Sequence, residues 1–317
     1  MPIFSPARFI RLALVVLSLL LAGNALAGTA QGRIVVFGDS LSDPGNAFVL
    51  LHDVEVRPFE LIPAAPYAIG GLHFTNGETW VEQLARALDL NGSGPALAVP
   101  GVHSNYAVGA ARARTGAPFD LSAQVDLFLA DFSGVVPADG VYVVFVGGND
   151  LRDAIEALIV DPSGETTAGI LEDAVSAVAT NIERLHAAGA RTFLVPNAPN
   201  LALVPAIRAQ GVGAQLVAQM LSAAYNDMLA ARLAALEAQL AGETLHRVDV
   251  YALLNQTVVA PSLFRLSEVK APCITPDTFV EAICDRPDDY LFWDGIHPTR
   301  AGHAILARRA RTVLLSP

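Results

Sequence analysis

Val141-Tyr142-Val143-Val144-Phe145-Val146 is an apolar run without a polar break, and it ends in Gly147-Gly148-Asn149-Asp150. A strand with one face in water alternates polar and apolar positions, whereas a continuous β-branched and aromatic run suits a strand buried on both faces. Burial on both faces belongs to parallel sheets covered by helices. Working outward, similar runs stand at Ile34-Val35-Val36-Phe37, Thr192-Phe193-Leu194-Val195 and Leu245-His246-Arg247-Val248-Asp249-Val250, with a shorter one near Tyr106-Ala107-Val108. Helical patterns separate them. Trp80, Leu84 and Leu88 recur at i, i+4, i+8 after the turn pair Asn76-Gly77, and residues 168–188 close on Gly189. The alanine- and leucine-rich residues 213–241 predict the longest helix. Residues 257–292, rich in proline and carrying both cysteines, read as an irregular excursion before a final helix. About five strands alternating with helices predict a three-layer, doubly wound α/β domain.

The N-terminus predicts where the protein works. Arg8 and Arg11 precede the apolar run Leu12–Leu21, and Ala25-Leu26-Ala27 follows with small residues at both ends. A basic region, a short apolar core and an Ala-x-Ala site make a secretory signal peptide, expected to be cleaved after Ala27. The run is shorter than the ~20 residues of a bilayer span. Asn24 stands where a lipoprotein signal needs cysteine. Residues 28–317 are then expected to form one domain, since no linker, charge block or repeat divides them. The formal charge of −11 becomes more acidic once Arg8 and Arg11 are lost. An acidic surface argues against nucleic acid or an anionic membrane as the primary partner. Cys273 and Cys284 are the only cysteines. In an exported protein so close a pair reads as a disulfide, the alternatives being two free buried thiols or part of a metal site.

Ligands in such sheets gather beyond the carboxyl ends of the strands. The first strand ends in Gly38-Asp39-Ser40-Leu41-Ser42-Asp43, which places a serine hydroxyl and its N–H at that edge. Alone, this is as readily a turn with a helix-capping serine. Two further strand ends bring Ser104-Asn105-Tyr106-Ala107-Val108-Gly109-Ala110 and Gly147-Gly148-Asn149-Asp150 to the same region. They offer a bare backbone and a neutral carboxamide, suitable donors for a developing oxyanion. Before the last helix stands Trp293-Asp294-Gly295-Ile296-His297-Pro298-Thr299. An aspartate three residues ahead of a histidine can orient its imidazole within one loop, and that imidazole can take a serine's proton.

Together these four segments resemble the GDSL or SGNH hydrolase family of lipases, esterases, lysophospholipases and carbohydrate deacetylases. Gly38-Asp39-Ser40-Leu41, with Asp43 and Asn46 downstream, is similar to its first block. Asn105–Ala110, Gly147–Asp150 and Asp294–His297 resemble the others, in family order. The resemblance implies a flavodoxin-like SGNH hydrolase fold with Ser40 as nucleophile, His297 as base and Asp294 as orienting acid. It also implies an oxyanion hole from Ser40 N–H, Gly109 N–H and the Asn149 amide. No metal or organic cofactor is implied. Ala110 stands where the second block often carries another glycine. The Cys-bearing segment and Pro287–Trp293 resemble the lipase/phospholipase branch.

His303 falls six residues beyond His297, inside the expected final helix, and reads as packing or solvated. His73, His103, His186 and His246 have no acid placed like Asp294, and the side chains of His52 and Asp53 diverge. Two readings compete with a secreted ester and lipid hydrolase. A carbohydrate O-deacetylase would use the same residues but would need exposed aromatics around a groove, and tryptophan is confined to Trp80 and Trp293. A periplasmic α/β binding protein would need two lobes and gives no reason for serine, asparagine and histidine to coincide.

Overall fold

The structure, a computed structural model, describes residues 32–51, 70–137, 139–274 and 283–316. The signal segment, His52 and the residues 275–282 between the cysteines lie outside them. The elements in chain order are β1 (Ile34–Gly38), α1 (Asn46–Leu51), α2 (Trp80–Ala87), α3 (Leu121–Asp131), β2 (Val141–Phe145), α4 (Gly148–Val160), α5 (Glu165–Ala187) and β3 (Thr192–Pro196). They continue with α6 (Pro205–Arg208), α7 (Val212–Gln239), β4 (Thr244–Val248), α8 (Val250–Val259), β5 (Glu268–Pro272), β6 (Tyr290–Phe292) and α9 (Arg300–Leu315).

β1 to β4 form one parallel sheet in the order β1-β2-β3-β4. The fifth expected strand is reduced to a bridge, Asn105 with Val36, on the free edge of β1. The Val36 N–H bonds Ser104 O at 2.9 Å and the Tyr106 N–H bonds Val36 O at 2.8 Å. Side chains then take over the ladder. Asn105 Oδ1 accepts the Ala107 N–H, and Asn46 Nδ2 donates to the Asn105 and Ala107 carbonyls. Counting the bridge, the strands lie across the sheet in the order 2-1-3-4-5, so the direction in which the sheet grows reverses between β1 and β2. That reversal opens a crevice at the carboxyl ends of the strands.

Alternation along β1 sorts the core into two layers. Ile34 and Val36 pack with Val143, Leu194, Val248, Trp80 and Leu84, beneath α2 and α9. Val35 and Phe37 pack with Tyr142, Val144 and Phe193, beneath α3, α5 and α7. The three-layer architecture follows from this two-sided burial. α2 is started by Glu82, whose carboxylate accepts the Thr79 N–H at 2.8 Å and its hydroxyl at 2.7 Å. α7, at 28 residues, is the longest helix among the described residues.

The described residues of the 257–292 stretch are more regular than its proline content predicts. They hold the end of α8, a 3₁₀ turn at Pro261–Phe264, and the parallel pair β5–β6. Cys273 and Cys284 form a disulfide with Cα atoms 5.0 Å apart. The Cys273 N–H bonds Phe292 O at 3.0 Å and the Ile274 N–H bonds Trp293 O at 2.8 Å. The bridge therefore staples the strand that leads directly into Asp294.

Candidate active site

The end of β1 is clamped before it reaches the serine. Gly38 passes so close to β2 that a Cβ there would sit 2.6 Å from Phe145 O, which excludes any side chain. Gln124 of α3 grips its peptide from the other side, accepting the Gly38 N–H at 2.9 Å and donating to the Gly38 carbonyl at 2.8 Å. The next turn is held by Asp39, whose carboxylate accepts the Leu41 N–H at 3.0 Å. Ser40 emerges from this turn largely buried.

Asp294 and His297 share one short loop, and its backbone is organised by the aspartate. Asp294 Oδ1 accepts the N–H groups of Ile296 at 2.7 Å and His297 at 2.6 Å. Its Oδ2 lies 2.6 Å from His297 Nδ1, and His297 Nε2 lies 2.8 Å from Ser40 Oγ. Ser40 and the Asp294–His297 pair, 254 to 257 residues further along the chain, thus form one unbroken hydrogen-bonded relay. Thr299 fixes the loop's exit, capping α9 through the Gly302 N–H at 3.1 Å and donating its hydroxyl to Tyr290 O at 2.6 Å. Phe74 packs against the His297 ring, with centroids 5.2 Å apart.

Asn149 stands in the first turn of α4. One of its amide hydrogens is donated to Ala111 O at 2.9 Å, which sets the amide plane and leaves the other free. Asp150 ties the same two segments by accepting the Ala113 N–H at 2.8 Å. The Gly109 N–H, by contrast, is given to Asp43 Oδ2 at 2.8 Å. Asp43 also accepts from Gly45, Asn46 and Ala47, so its buried carboxylate collects four backbone N–H groups. Burial nevertheless raises its pKa to about 6. A Cβ at Gly109 would also strike the Phe74 ring at 2.4 Å. Glycine at 109 is thus explained by packing against Phe74. The next residue, Ala110, has φ of 67°, a left-handed conformation that alanine adopts at a cost of about 1 kcal/mol.

Asp39 belongs to the same centre. Burial raises its pKa to about 6, with the Leu41 N–H and a protonated His297 acting in the opposite direction. His303 is also here, buried in α9 and pushed down to about 3 by burial, reinforced by His297 and His73. Its Nδ1 is enclosed with no hydrogen-bond partner among the described residues. His73 has no acid placed like Asp294, but the fold supplies one from elsewhere. Burial alone would lower its pKa, but Glu82, 3.1 Å from Nε2, holds it above the ordinary value. Glu82 is nine residues away on α2, a relation that sequence proximity does not reveal. Gln124 and Phe74 likewise escaped the sequence reading, whereas Asp39 and Ala110 stood within the first and second blocks without being assigned a role.

Beside Ser40, Asn149 and His297 lies a cavity of about 270 Å³. Its walls are mainly apolar, including Ile155, Ile159, Leu201, Ile207, Leu253 and Leu306.

Residues 34–310 match the GDSL-like Lipase/Acylhydrolase family. A GDSL esterase/lipase from Arabidopsis thaliana is 27% identical over 322 residues, covering 92% of either chain. A second GDSL esterase/lipase from the same plant is 25% identical, covering 87% of this chain and 86% of its own. Among solved structures, a catalytic mutant of an acetylxylan esterase from Geobacillus stearothermophilus aligns over 90% of this chain and 95% of its own, with a TM-score of 0.48 and 14% identity. With nearly the whole described chain inside the family match, this protein belongs to the GDSL lipase/acylhydrolase family and is a hydrolase of carboxylic esters.

Proposed function

We propose that the chain is a secreted serine esterase or lipase that cleaves acyl esters through an acyl-Ser40 intermediate. The observation carrying this reading is the Ser40–His297–Asp294 relay beside a mainly apolar cavity. Ser40 Oγ attacks the ester carbonyl while its proton passes to His297 Nε2. Asp294 stabilises the resulting imidazolium through Nδ1–H. The tetrahedral oxyanion receives the Ser40 N–H and the free Asn149 N–H. For the third donor we assign the Ala110 N–H in place of Gly109. The Gly109 N–H is occupied by Asp43, while those of Ser40 and Ala110 meet no acceptor among the described residues. Collapse expels the alcohol, which takes the proton from His297. Water then gives a proton to His297 and attacks the acyl carbonyl, releasing the carboxylic acid and restoring Ser40.

The cavity favours an acyl chain longer than acetyl and so weighs against carbohydrate deacetylation. Secretion is supported by the Arg8–Ala27 segment and by the Cys273–Cys284 disulfide. A fluorophosphonate should label the protein once, at Ser40, and Ser40→Ala should abolish labelling and turnover together. Activity of Ser40→Ala within tenfold of the parent would overturn the assignment. A chain-length panel of p-nitrophenyl esters decides between acyl hydrolysis and deacetylation, the latter requiring acetate to be the best substrate. N-terminal sequencing of exported protein should begin at Gly28.

A further inference from the structure

Three separate elements carry exposed apolar side chains where they meet the cavity. On α4, Ile159 lines the cavity yet is 78% exposed, and Val160 beside it is 87% exposed. Gln210 lines the cavity, and two residues later α7 begins with the exposed Val212, Leu216 and Met220, spaced i, i+4, i+8 on one helix face. Thr257 lines it from α8, and two residues later Val259 is 83% exposed, with Leu263 exposed beyond. Two residues of chain span at most about 7 Å, so Val212 and Val259 start within that distance of cavity-lining residues, and Ile159 lines the cavity itself. The flanking sequence is uncharged, with no ionisable side chain from Ala209 to Asn226 apart from Tyr225, which is buried. From Val250 to Phe264 there is no acidic or basic residue either. A chain of charge −11 has thus kept charge away from two of the segments bordering this opening.

We propose that this rim docks the protein on the neutral surface of aggregated lipid, so that an acyl chain passes from the aggregate into the cavity without crossing water. The inference rests on the acyl-ester reading above. Solvated apolar side chains gathered at one site mark an interaction surface. Continuity with the cavity selects the occupant. A protein partner seated here would obstruct the route to Ser40, whereas a lipid surface presents the substrate's own hydrocarbon. The two uncharged segments, beside which α4 brings one cation and one anion, Arg152 and Glu156, to the cavity wall, suit zwitterionic or uncharged lipid, and the acidic surface elsewhere disfavours anionic headgroups.

The test uses Leu216→Gln/Met220→Gln, an exposed pair outside the catalytic relay, on a helix where glutamine is well tolerated. Flotation with phosphatidylcholine vesicles, carried out in a Ser40→Ala background to keep the lipid intact, should show binding weakened at least about tenfold by the double substitution. With Ser40 restored, hydrolysis of monomeric p-nitrophenyl butyrate should stay within about twofold of the parent, which also reports an intact fold. Hydrolysis of a long-chain ester in phosphatidylcholine micelles should fall with vesicle binding. The inference is overturned if the parent does not float, if parent and variant float equally, or if light scattering reveals a dimer that the variant dissolves without change in lipid binding. A parent inactive on the soluble ester would instead refute the esterase reading, whatever the flotation shows.

Discussion

Replacing Asp294 by asparagine should be far more damaging than its apparent conservatism suggests, because the structure dictates which way the amide turns. Asp294 Oδ1 holds two backbone N–H groups, at 2.7 and 2.6 Å, while Oδ2 faces His297 Nδ1 at 2.6 Å. Asparagine has one acceptor oxygen, and keeping it at the Oδ1 position preserves two bonds, each worth roughly 1 kcal/mol net. The NH₂ group then faces Nδ1 and forces it to accept. The ring proton moves to Nε2, pointing at Ser40 Oγ, where a base must be unprotonated. The imidazolium formed during attack also loses its counter-charge. For charges ~4 Å apart at an effective dielectric near 20, that loss is about 4 kcal/mol. A unit of 1.36 kcal/mol per decade converts this to roughly 10³-fold, and the wrong tautomer extends it toward ~10⁴. The assay is kcat/KM on a soluble p-nitrophenyl ester for Asp294→Asn and Asp294→Ala. Asparagine should be no better than alanine, since alanine imposes no tautomer. Asp294→Asn activity within tenfold of the parent would refute the reasoning.

Asn149→Ala should lower kcat by roughly 10²–10³ with little change in KM, because its free N–H strengthens its bond only as charge develops; an effect mainly on KM would place Asn149 in ground-state binding. His303 makes the fold sensitive to acid. Its pKa falls from 6.5 to about 3 on folding, so the unfolded chain binds a proton that the native one does not. The associated stability is present above pH 6.5 and is lost as pH falls toward 3, reaching ~3 kcal/mol by pH 4. The stability of His303→Phe, followed by urea unfolding, should therefore decline less steeply from pH 6.5 to 4 than the parent's; parallel curves would exclude His303 as the cause. Reducing the Cys273–Cys284 bridge should cost at most about 3 kcal/mol, since it closes a span of 11 residues. Its effect on kcat should be proportionally larger, as it anchors the strand entering Asp294, and an unchanged kcat after selective reduction would contradict that role.

Most of the sheet was legible from Val141–Val146 and its companions because burial on both faces removes the polar positions that would otherwise interrupt a strand. The stretch at Tyr106–Val108 fell short of a strand for a reason composition cannot carry. Its backbone groups are shared with the side chains of Asn46 and Asn105, and Asn46 lies 59 residues before the carbonyl of Asn105 that it bonds. Ser40, Asn149, Asp294 and His297 could be nominated together from the sequence because each stands at a strand end or within one loop, and the structure brings them to one cavity. Asp294 and His297 are three residues apart, so their pairing is local. Which backbone N–H faces the oxyanion is a different kind of question. Gly109 and Ala110 are equivalent as text, and only the arrival of the Asp43 carboxylate from 66 residues away distinguishes the occupied donor from its neighbour. The same holds for the Glu82 partner of His73, the clamp of Gln124 on Gly38, and the apolar rim assembled from α4, α7 and α8. Sequence periodicity and motif spacing report forces acting within a few residues. Hydrogen-bond partners and surface patches assembled over tens of residues exist only once the chain has packed.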